Sequence, residues 1–356
     1  MNILDAYQQK MMAQWGHLID YWYPLIETKT LKKNSMRKVK AFNMNYLIWK
    51  NTQGEINVFL DTCIHKQSPL SAGHLTEQKL TCPYHGWQFN HNGICTDIPY
   101  SNNSDDCANK QLLTISSKTE GNILWFFPNG NTPEKTTIQA LNWQYLPKDI
   151  VKTEVFNCNE QALIENFMDS PHTNYVHSGL IRKKQKLKVR DIAIYLDKQQ
   201  TLYVDHLPSD ESLGPFNWFV NPQRNPVHHQ DIFMSPAHVD IQYQFEKNKT
   251  NFRTQISMCP IDENTTRAFF KVSSQFERFN SIIRFGLKCF LPIVLKQDKK
   301  IVALQAKNHS KLTNFNGQFI HYDIYSYQVK LLREQAKTQK SALGLLSSTH
   351  YTSLKL

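Results

Sequence analysis

The sequence predicts an α+β chain in which a small all-β domain precedes a larger α+β domain. Between about residues 35 and 130, short strand-like runs such as 45–50 and 122–127 alternate with polar turns. A segment containing Pro and Gly follows at 128–133, and longer helical patterns begin beyond it. We therefore expect two domains, residues 1–135 and 136–356.

The second domain mixes helical and strand-like patterns. Segments 160–178, 276–308 and 322–340 have the character of helices, whereas 191–275 gives several strand-like runs. The last dozen residues are expected to fray, as chain ends commonly do.

Composition indicates a globular, cytoplasmic protein. Hydrophobic residues make up 40% of the 356 residues and aromatic residues 12%, which excludes a disordered chain. The stretch 282–295 is interrupted by Arg284 and Lys288, so no membrane span is expected. The aromatic-rich lead-in, residues 1–25, lacks the basic start and apolar core of a signal peptide.

The chain is basic, with a formal net charge of +11. Much of the excess lies in short clusters, such as residues 182–190. Nucleic acids bind such clusters, but no recognition motif accompanies them, so we expect no nucleic-acid partner. A solvated basic face is one interpretation, and a docking face for an acidic electron donor is another.

The cysteines point to metal binding more than to disulfides. An odd number of cysteines in a long cytoplasmic chain argues against a disulfide framework. Two of them stand beside histidines at the spacing of metal ligands. The seven are Cys63, Cys82, Cys95, Cys107, Cys158, Cys259 and Cys289.

The first metal-binding pattern joins two short segments that each contain one Cys and one His: Cys63 with His65, and Cys82 with His85. A Rieske [2Fe–2S] cluster takes two thiolates on one iron and two imidazoles on the other. A Cys₂His₂ zinc site is the alternative, but zinc fingers pair Cys with Cys and His with His along the chain. The mixed pairing favours the cluster, with these four side chains as ligands.

The second pattern contains Asp169, His172 and His177. Two histidines and a distant carboxylate form the facial triad of non-haem Fe(II) oxygenases. Five residues turn a regular helix by about 140°, so the two histidines would not share one face. Pro171 interrupts the helical hydrogen bonds, and we expect a distorted helix there. Alone, such a histidine pair is more often structural, but beside the first pattern it favours an iron site.

The first pattern resembles the two loops of Rieske proteins, Cys63–His65 and Cys82–Trp87. Respiratory-chain members carry one extra Cys in each loop, where this sequence has Ser68 and Tyr84. The resemblance is therefore to the oxygenase and ferredoxin branch. Lys66-Gln67 stands where that branch commonly has Arg-Gly, and neither residue is a ligand.

The second pattern resembles the iron-binding segment of Rieske non-haem iron oxygenases, in particular the vanillate and dicamba O-demethylases. The matching segment runs from Asn166 to His177. The resemblance implies a catalytic domain with an antiparallel sheet flanked by helices. It also implies a third iron ligand on a late helix, where Asp298 is the only acidic residue between Glu277 and Asp323. A surface Asp among lysines is the alternative.

The resemblance implies a terminal oxygenase that activates O₂ to hydroxylate or O-demethylate a small aromatic or alicyclic substrate. A separate NAD(P)H-dependent reductase, with or without a ferredoxin, would supply electrons, since the chain lacks a GxGxxG fingerprint. The family's trimer implies that Asp169 bridges His85 of one subunit to His172 of the next. An electron-transfer Rieske protein and a zinc-binding regulatory protein are the alternatives.

The substrate pocket is expected among the strands of residues 200–260. We cannot choose its members among Trp218, Phe219, His228, His229 and Phe233. Adjacent histidines usually point in different directions, so His228 and His229 are not expected to form a metal pair.

Overall fold

The computed structural model divides the chain into two compact units, residues 1–139 and 140–356. The predicted boundary at 135/136, most of the basic cluster and the residues Trp218 and Phe219 lie outside the described residues, and the boundary stays a prediction. The structure describes residues 2–76, 78–131, 138, 149–181, 187–209, 221, 223–245, 251–275, 280–311 and 317–356.

The first unit is one helix followed by three small antiparallel sheets, with strand orders β1-β11-β10, β2-β3-β4-β9 and β5-β6-β7-β8. Its elements are α1 Ile3–Trp15, β1 Tyr23–Glu27, β2 Ser35–Ala41, β3 Met44–Lys50, β4 Ile56–Leu60, β5 His74–Thr76, β6 Lys79–Thr81, β7 Gln88–Phe89, β8 Cys95–Asp97, β9 Thr114–Ile115, β10 Ser117–Glu120 and β11 Ile123–Phe126.

Local signals explain several of these elements. Asn2 caps α1 by accepting the N–H of Asp5 at 2.9 Å, and it completes a capping box. The hairpin between β2 and β3 turns through Phe42 and Asn43, which both have positive φ, as a two-residue primed turn requires. The Phe42 ring then packs edge-on against Trp15 at 5.0 Å, so the aromatic lead-in belongs to the core of this unit.

The second unit is built on one eight-stranded antiparallel sheet with the order β12-β18-β17-β16-β15-β14-β13-β19. The helix α2 packs against α3, α4 and strands β15 to β18. Its elements are β12 Ile150–Phe156, α2 Glu160–Met168, β13 Val189–Leu196, β14 Leu202–Ser209, β15 Val227–Met234, β16 His238–Gln244, β17 Phe252–Asp262, β18 Thr265–Ser274, α3 Asn280–His309, α4 Ile324–Thr338 and β19 His350–Lys355.

The C-terminal segment is a strand, and the expectation that the last dozen residues fray was wrong. β19 pairs antiparallel with β13, from Val189 opposite Lys355 to Ile194 opposite His350. Lys188 and Leu356 continue the ladder with two backbone hydrogen bonds of 2.8 and 3.0 Å. The Leu356 side chain is buried, so backbone pairing and apolar burial together overcome the tendency of chain ends to fray.

The predicted fold class is confirmed. An all-β unit precedes an α+β unit whose antiparallel sheet carries helices, and the long helices expected near 276–308 and 322–340 are α3 and α4. Within the described ranges, the structure contains no helix long and apolar enough to cross a membrane.

Candidate metal centres

The first cluster loop, residues 63–68, is closed by two backbone hydrogen bonds. The N–H of Cys63 donates to the carbonyl of Ser68, and the N–H of Gln67 donates to the carbonyl of Cys63, both at 2.9 Å. Gln67 has a φ of 58°, in the left-handed region that favours glycine. The chain therefore turns back on itself, with His65 half-buried and Lys66 and Gln67 exposed between these bonds.

The second cluster loop, residues 82–87, repeats this pattern. The N–H of Cys82 donates to the carbonyl of Trp87 at 2.8 Å, and the N–H of Gly86 donates to that of Cys82 at 3.1 Å. Gly86 has a φ of 74°, and a Cβ there would lie 3.2 Å from Pro99 Cγ. A glycine at this position satisfies both the turn and the close approach of Pro99.

The four predicted cluster ligands lie in two pairs, the two thiols together and the two imidazoles together. Cys63 and Cys82 are buried and their thiols are hydrogen-bonded to each other, whereas the imidazole centroids of His65 and His85 are 4.6 Å apart. His65 Nδ1 is buried without a hydrogen-bond partner. No three of these four residues bring their donor atoms within 4.8 Å of one another. Separate thiol and imidazole pairs fit two irons better than one tetrahedral zinc ion.

Aromatic rings surround the imidazoles. Trp87 stacks on His65 with a centroid distance of 4.8 Å and an interplanar angle of 9°, and Trp87 Nε1 donates to the Tyr100 hydroxyl at 2.8 Å. The exposed Tyr84 ring lies 3.8 Å from the His85 ring. These contacts fix the orientation of both imidazoles.

The Cys63 thiol lies in an apolar setting with local hydrogen-bond donors. Burial raises its pKa to about 11, and the Cys82 thiol acts in the same direction, while the backbone N–H groups of His65 and Lys66 lower it. Backbone N–H groups directed at a sulfur stabilise its thiolate form, which is the form that binds iron.

The second centre brings His172, His177 and Asp298 together. The two Nε2 atoms are 3.2 Å apart, and Asp298 Oδ1 lies 3.0 Å from His177 Nε2 and 3.5 Å from His172 Nε2. Three ligands at right angles around an ion, with bonds of about 2.1 Å, would lie about 3.0 Å apart. The three donor atoms therefore fit one face of a six-coordinate iron.

A break in the helix makes this convergence possible. The helix α2, capped by Asn159, ends at Met168, and a 3₁₀ turn, Ser170–Asn174, follows with Pro171 in its first turn. The predicted distortion is present, in the form of an interruption. His172 lies in the turn, and its Nδ1 donates to the main-chain carbonyl of Asp169, which leaves Nε2 directed at the candidate iron site.

Asp298 lies on α3 and is only 2% exposed, so it is not a surface residue. Burial alone would raise the pKa of Asp298, but hydrogen bonds from His172 and His177 bring it below its usual value. Its neighbour Gln297 accepts a hydrogen bond from His177 Nδ1 at 2.8 Å. Sequence reasoning missed Gln297, although its position next to Asp298 was a usable signal.

Asp169 is buried beside this centre. Burial raises the pKa of the Asp169 carboxyl to about 6, Asp323 and Asp231 act in the same direction, and His172 opposes them. The contact to the His172 ring comes from the Asp169 main-chain carbonyl. The bridging role of the Asp169 carboxylate stays a prediction.

A second polar cluster adjoins the first. Asp231 Oδ1 lies 2.9 Å from His229 Nε2, and Asp231 Oδ2 lies 3.3 Å from His206 Nε2. Ser170 Oγ, next to Asp169, donates to Asp231 Oδ2 at 3.2 Å. Sequence analysis missed Asp231 and His206, because β14 and β15 bring them together only in the folded sheet.

This polar cluster is a hydrogen-bonded network more than a second metal site. The rings of His206 and His229 are stacked, with an interplanar angle of 6° and centroids 4.4 Å apart. The nitrogen lone pairs lie in the ring planes, so those of the two rings are nearly parallel and do not point at one metal position. Burial alone would raise the pKa of Asp231, but His229 and His206 hold it far below its usual value. His228, in contrast, contacts Asp205, so the adjacent histidines do point in different directions.

Both groups line a cavity of about 200 Å³. The two iron-ligand histidines, Asp298 and the pair His229 and Asp231 supply polar atoms, while most of the remaining wall is aliphatic or aromatic. Among the described lining residues there is no Lys or Arg. Of the candidate pocket residues, His229 lines the cavity, whereas His228 and Phe233 are not among its lining residues.

Two family models match the chain. The Rieske [2Fe-2S] domain matches residues 21–115, and the vanillate O-demethylase oxygenase C-terminal domain matches residues 156–321. The first family carries a [2Fe–2S] cluster, and the oxygenase family binds non-haem iron, which agrees with the two groups of donor atoms described above.

The curated relatives include proteins named as oxygenases and monooxygenases. Chlorophyllide a oxygenase of Oryza sativa is 23% identical over 89% of this chain and 57% of its own length. The oxygenase component of 3-ketosteroid-9-alpha-monooxygenase of Rhodococcus rhodochrous is 30% identical over 44% of this chain and 42% of its own length. The chain thus spans about half the length of these relatives.

Among solved structures, dicamba monooxygenase bound to dicamba has the same fold, with a TM-score of 0.75 at 17% identity. The match covers 90% of this chain and 98% of that one. Another structure of that protein contains non-haem iron. With both family models matched in this order along one chain, the protein belongs to the Rieske-type oxygenases.

Proposed function

We propose that this chain is a terminal oxygenase that uses O₂ to hydroxylate or O-demethylate a small, uncharged aromatic or alicyclic substrate. The observation that carries the proposal is the facial group of His172, His177 and Asp298 at the wall of a largely apolar cavity. A chain that only transfers electrons would need neither this group nor the cavity.

We assign ligand roles by geometry. Cys63 and Cys82 hold one iron of the cluster, and His65 and His85 hold the other; support comes from the separate thiol and imidazole pairs. The mononuclear iron is assigned to His172, His177 and Asp298, whose donor atoms lie 3.0 to 3.5 Å apart. When bound, that iron would supply the site at which O₂ is reduced.

The protein's own residues orient the site and keep it dry. Gln297 fixes the ring of His177 through Nδ1, and the Asp169 carbonyl does the same for His172, so both Nε2 atoms are presented together. The apolar wall excludes water, which would otherwise compete with the substrate for the open positions. Asp169 is proposed as the group that links this centre to a cluster histidine of a neighbouring subunit.

The chemistry of the cavity wall supports an uncharged substrate. Asp169, Asp231 and Asp298 line the cavity, and no cation accompanies them among the described lining residues. Apart from an iron held at this centre, a bound carboxylate would meet no opposite charge among the described lining residues, and Asp169 and Asp231 would lie near it. One relative is named for a 3-ketosteroid, and the steroid ketone group is uncharged, which agrees with this choice.

Electrons are proposed to come from a separate NAD(P)H-dependent reductase, directly or through a ferredoxin, and the active form is proposed to be a homotrimer. The net charge of +11 supports an acidic donor, because opposite charges accelerate encounter. A cytoplasmic location and the absence of a nucleic-acid partner stay predictions.

Iron content combined with turnover tests the proposal. The reconstituted protein should contain about three irons per chain and show the EPR signal of a reduced Rieske cluster. With a surrogate reductase, NADH and O₂, it should convert a neutral steroid or aromatic ether. Two irons per chain with no product under any donor would favour an electron-transfer protein, and a colourless zinc-containing protein would overturn the cluster assignment as well.

A further inference from the structure

A pair of thiols outside both candidate metal centres lies in direct contact. The Sγ atoms of Cys95 and Cys107 are 3.2 Å apart, and both cysteines are free. Cys95, on β8, is 5% exposed, and Cys107 is half-buried at the end of a 3₁₀ turn, Ser104–Cys107. The two sulfurs need to approach by little more than 1 Å to form a bond of about 2.05 Å.

The backbone holds the two cysteines together. The N–H of Cys95 donates to the carbonyl of Lys110 at 2.8 Å, and the N–H of Lys110 donates to the carbonyl of Cys107 at 3.2 Å. A β-bridge between Ile94 and Gln111 lies directly beside them. The contact of the sulfurs therefore belongs to the folded backbone and needs no rearrangement of the chain.

The segment between the two cysteines, residues 96–106, covers the second cluster loop. The Tyr100 hydroxyl accepts the indole N–H of Trp87, and its ring lies 6.4 Å from the His65 ring and 6.2 Å from the His85 ring. Pro99 lies against Gly86. A covalent bond at the base of this segment would fix the residues that pack on the cluster imidazoles.

We propose that Cys95 and Cys107 are a redox-modification site at which a hydroperoxide forms a reversible disulfide that fixes the segment 96–106. The half-buried Cys107 meets the oxidant first: its thiolate attacks the peroxide, an S–O bond forms, the O–O bond breaks and hydroxide leaves. The Cys95 sulfur then attacks the sulfur of Cys107, the S–S bond forms, the S–O bond breaks and water leaves with the thiol proton.

With hydrogen peroxide as the oxidant, two thiols and one peroxide molecule react to give one disulfide and two water molecules. Two electrons leave the sulfurs and reduce the peroxide. A small dithiol reverses the modification by exchange and is itself oxidised to a cyclic disulfide. Transient disulfides of this kind are the form expected in a reducing compartment. The inference does not depend on the oxygenase activity.

Differential alkylation of the holoenzyme tests the pair directly. The protein is purified without O₂, treated with one equivalent of hydrogen peroxide while the visible absorbance of the cluster is retained, and quenched in denaturant with N-ethylmaleimide. It is then reduced and labelled with iodoacetamide. The tryptic peptide 80–110 contains Cys82, Cys95 and Cys107, so the three thiols are compared within one peptide.

The expected result is iodoacetamide label on Cys95 and Cys107 in most chains and N-ethylmaleimide on Cys82. Dithiothreitol given before the quench should return all three to N-ethylmaleimide. The variant Cys107→Ser should leave Cys95 without the second label, whereas Cys289→Ser, which removes the exposed cysteine of α3, should behave as the parent protein. Label on Cys82, or none on Cys95, would overturn the inference.

Proteolysis tests whether the bond fixes the segment. An endoproteinase that cleaves before aspartate can act at Asp105 and Asp106, which are exposed. Cleavage there should be several-fold slower in the oxidised protein and return to the original rate with dithiothreitol. The double variant Cys95→Ser/Cys107→Ser should show no dependence on peroxide. Equal rates for the oxidised and reduced parent protein would contradict the fixing role.

Discussion

Individual side chains around the candidate iron centre divide into ligands and residues that orient them. His172, His177 and Asp298 present three donor atoms to one point, while Gln297 and the Asp169 carbonyl hold the far sides of the two imidazoles. Removing a ligand and removing a bridging carboxylate should therefore have different consequences.

We expect Asp298→Ala to lose the mononuclear iron and Asp169→Asn to keep it. Asp298 would supply one of the three metal contacts, and its loss leaves the buried His177 and the half-buried His172 without an anion. Asp169 makes no side-chain contact with the three donor atoms that the structure records, so metal content should stay near three irons per chain while turnover falls by about a hundred-fold or more. Iron analysis, cluster EPR and single-turnover assays distinguish the two.

Near-normal turnover of Asp169→Asn would show that the Asp169 carboxylate does not bridge the two metal centres. The pair is matched, because both positions are buried carboxylates of the second unit. Loss of iron in both variants would instead mean that Asp169 supports the metal site itself.

At the scale of secondary-structure elements, the sequence predicted whether a segment is a helix better than it predicted the residue at which that helix ends. The sequence predicts a helix over residues 160–178, but α2 ends at Met168, because Pro171 and the 3₁₀ turn that contains it cannot continue the α-helical hydrogen bonds. The strand β19 could not be predicted from 350–355 alone, since its pairing with β13 joins residues far apart in the chain. Asp231 and His206 were missed for the same reason, whereas the ligand pairs stand close together in sequence and were found.

Removal of residues 350–356 should destabilise the second unit. The deletion takes away the ladder between β13 and β19 and the buried side chain of Leu356, and should lower the free energy of unfolding by at least about 2 kcal/mol. Chemical denaturation followed by circular dichroism measures it. Tyr351→Thr, at a side chain that is 72% exposed, is the control and should change the free energy by less than about 0.5 kcal/mol. An unchanged midpoint for the deletion would mean that β19 is dispensable.

At the scale of the whole molecule, the chain divides its chemistry between two compact units. The first supplies a candidate cluster site on two short loops, and the second supplies a candidate iron site between a broken helix and α3. The order of these units could be predicted from the sequence, because each unit contains pairs of ligands that lie a few residues apart, such as Cys63 with His65 and His172 with His177. The character of the cavity could not be predicted, since its described wall draws on four strands, β15 to β18, and several helical segments.

The cavity should discriminate between an aromatic carboxylic acid and its methyl ester. The pair has nearly the same shape, but the acid would bring a negative charge near Asp169 and Asp231, and apart from the bound iron no described lining residue is a Lys or Arg that could pair with it. We expect the ester to bind at least about ten-fold more tightly, which corresponds to about 1.4 kcal/mol. Dissociation constants from ligand-induced shifts in unfolding temperature, measured on the iron-loaded protein, provide the comparison. Equal or tighter binding of the acid would count against an uncharged substrate.

The two cluster loops share one arrangement of hydrogen bonds, each contained within six consecutive residues. The conformation of each loop is therefore set by its own backbone hydrogen bonds, and not by the length of the chain that separates the two loops. The chain between the two loops has its own packing, because Leu70 and Leu80 are buried in the same core as Cys63 and Cys82, and β5 pairs with β6. A change of length is therefore tolerated best in the turn between β5 and β6, and that turn is the place to graft a foreign peptide in protein engineering.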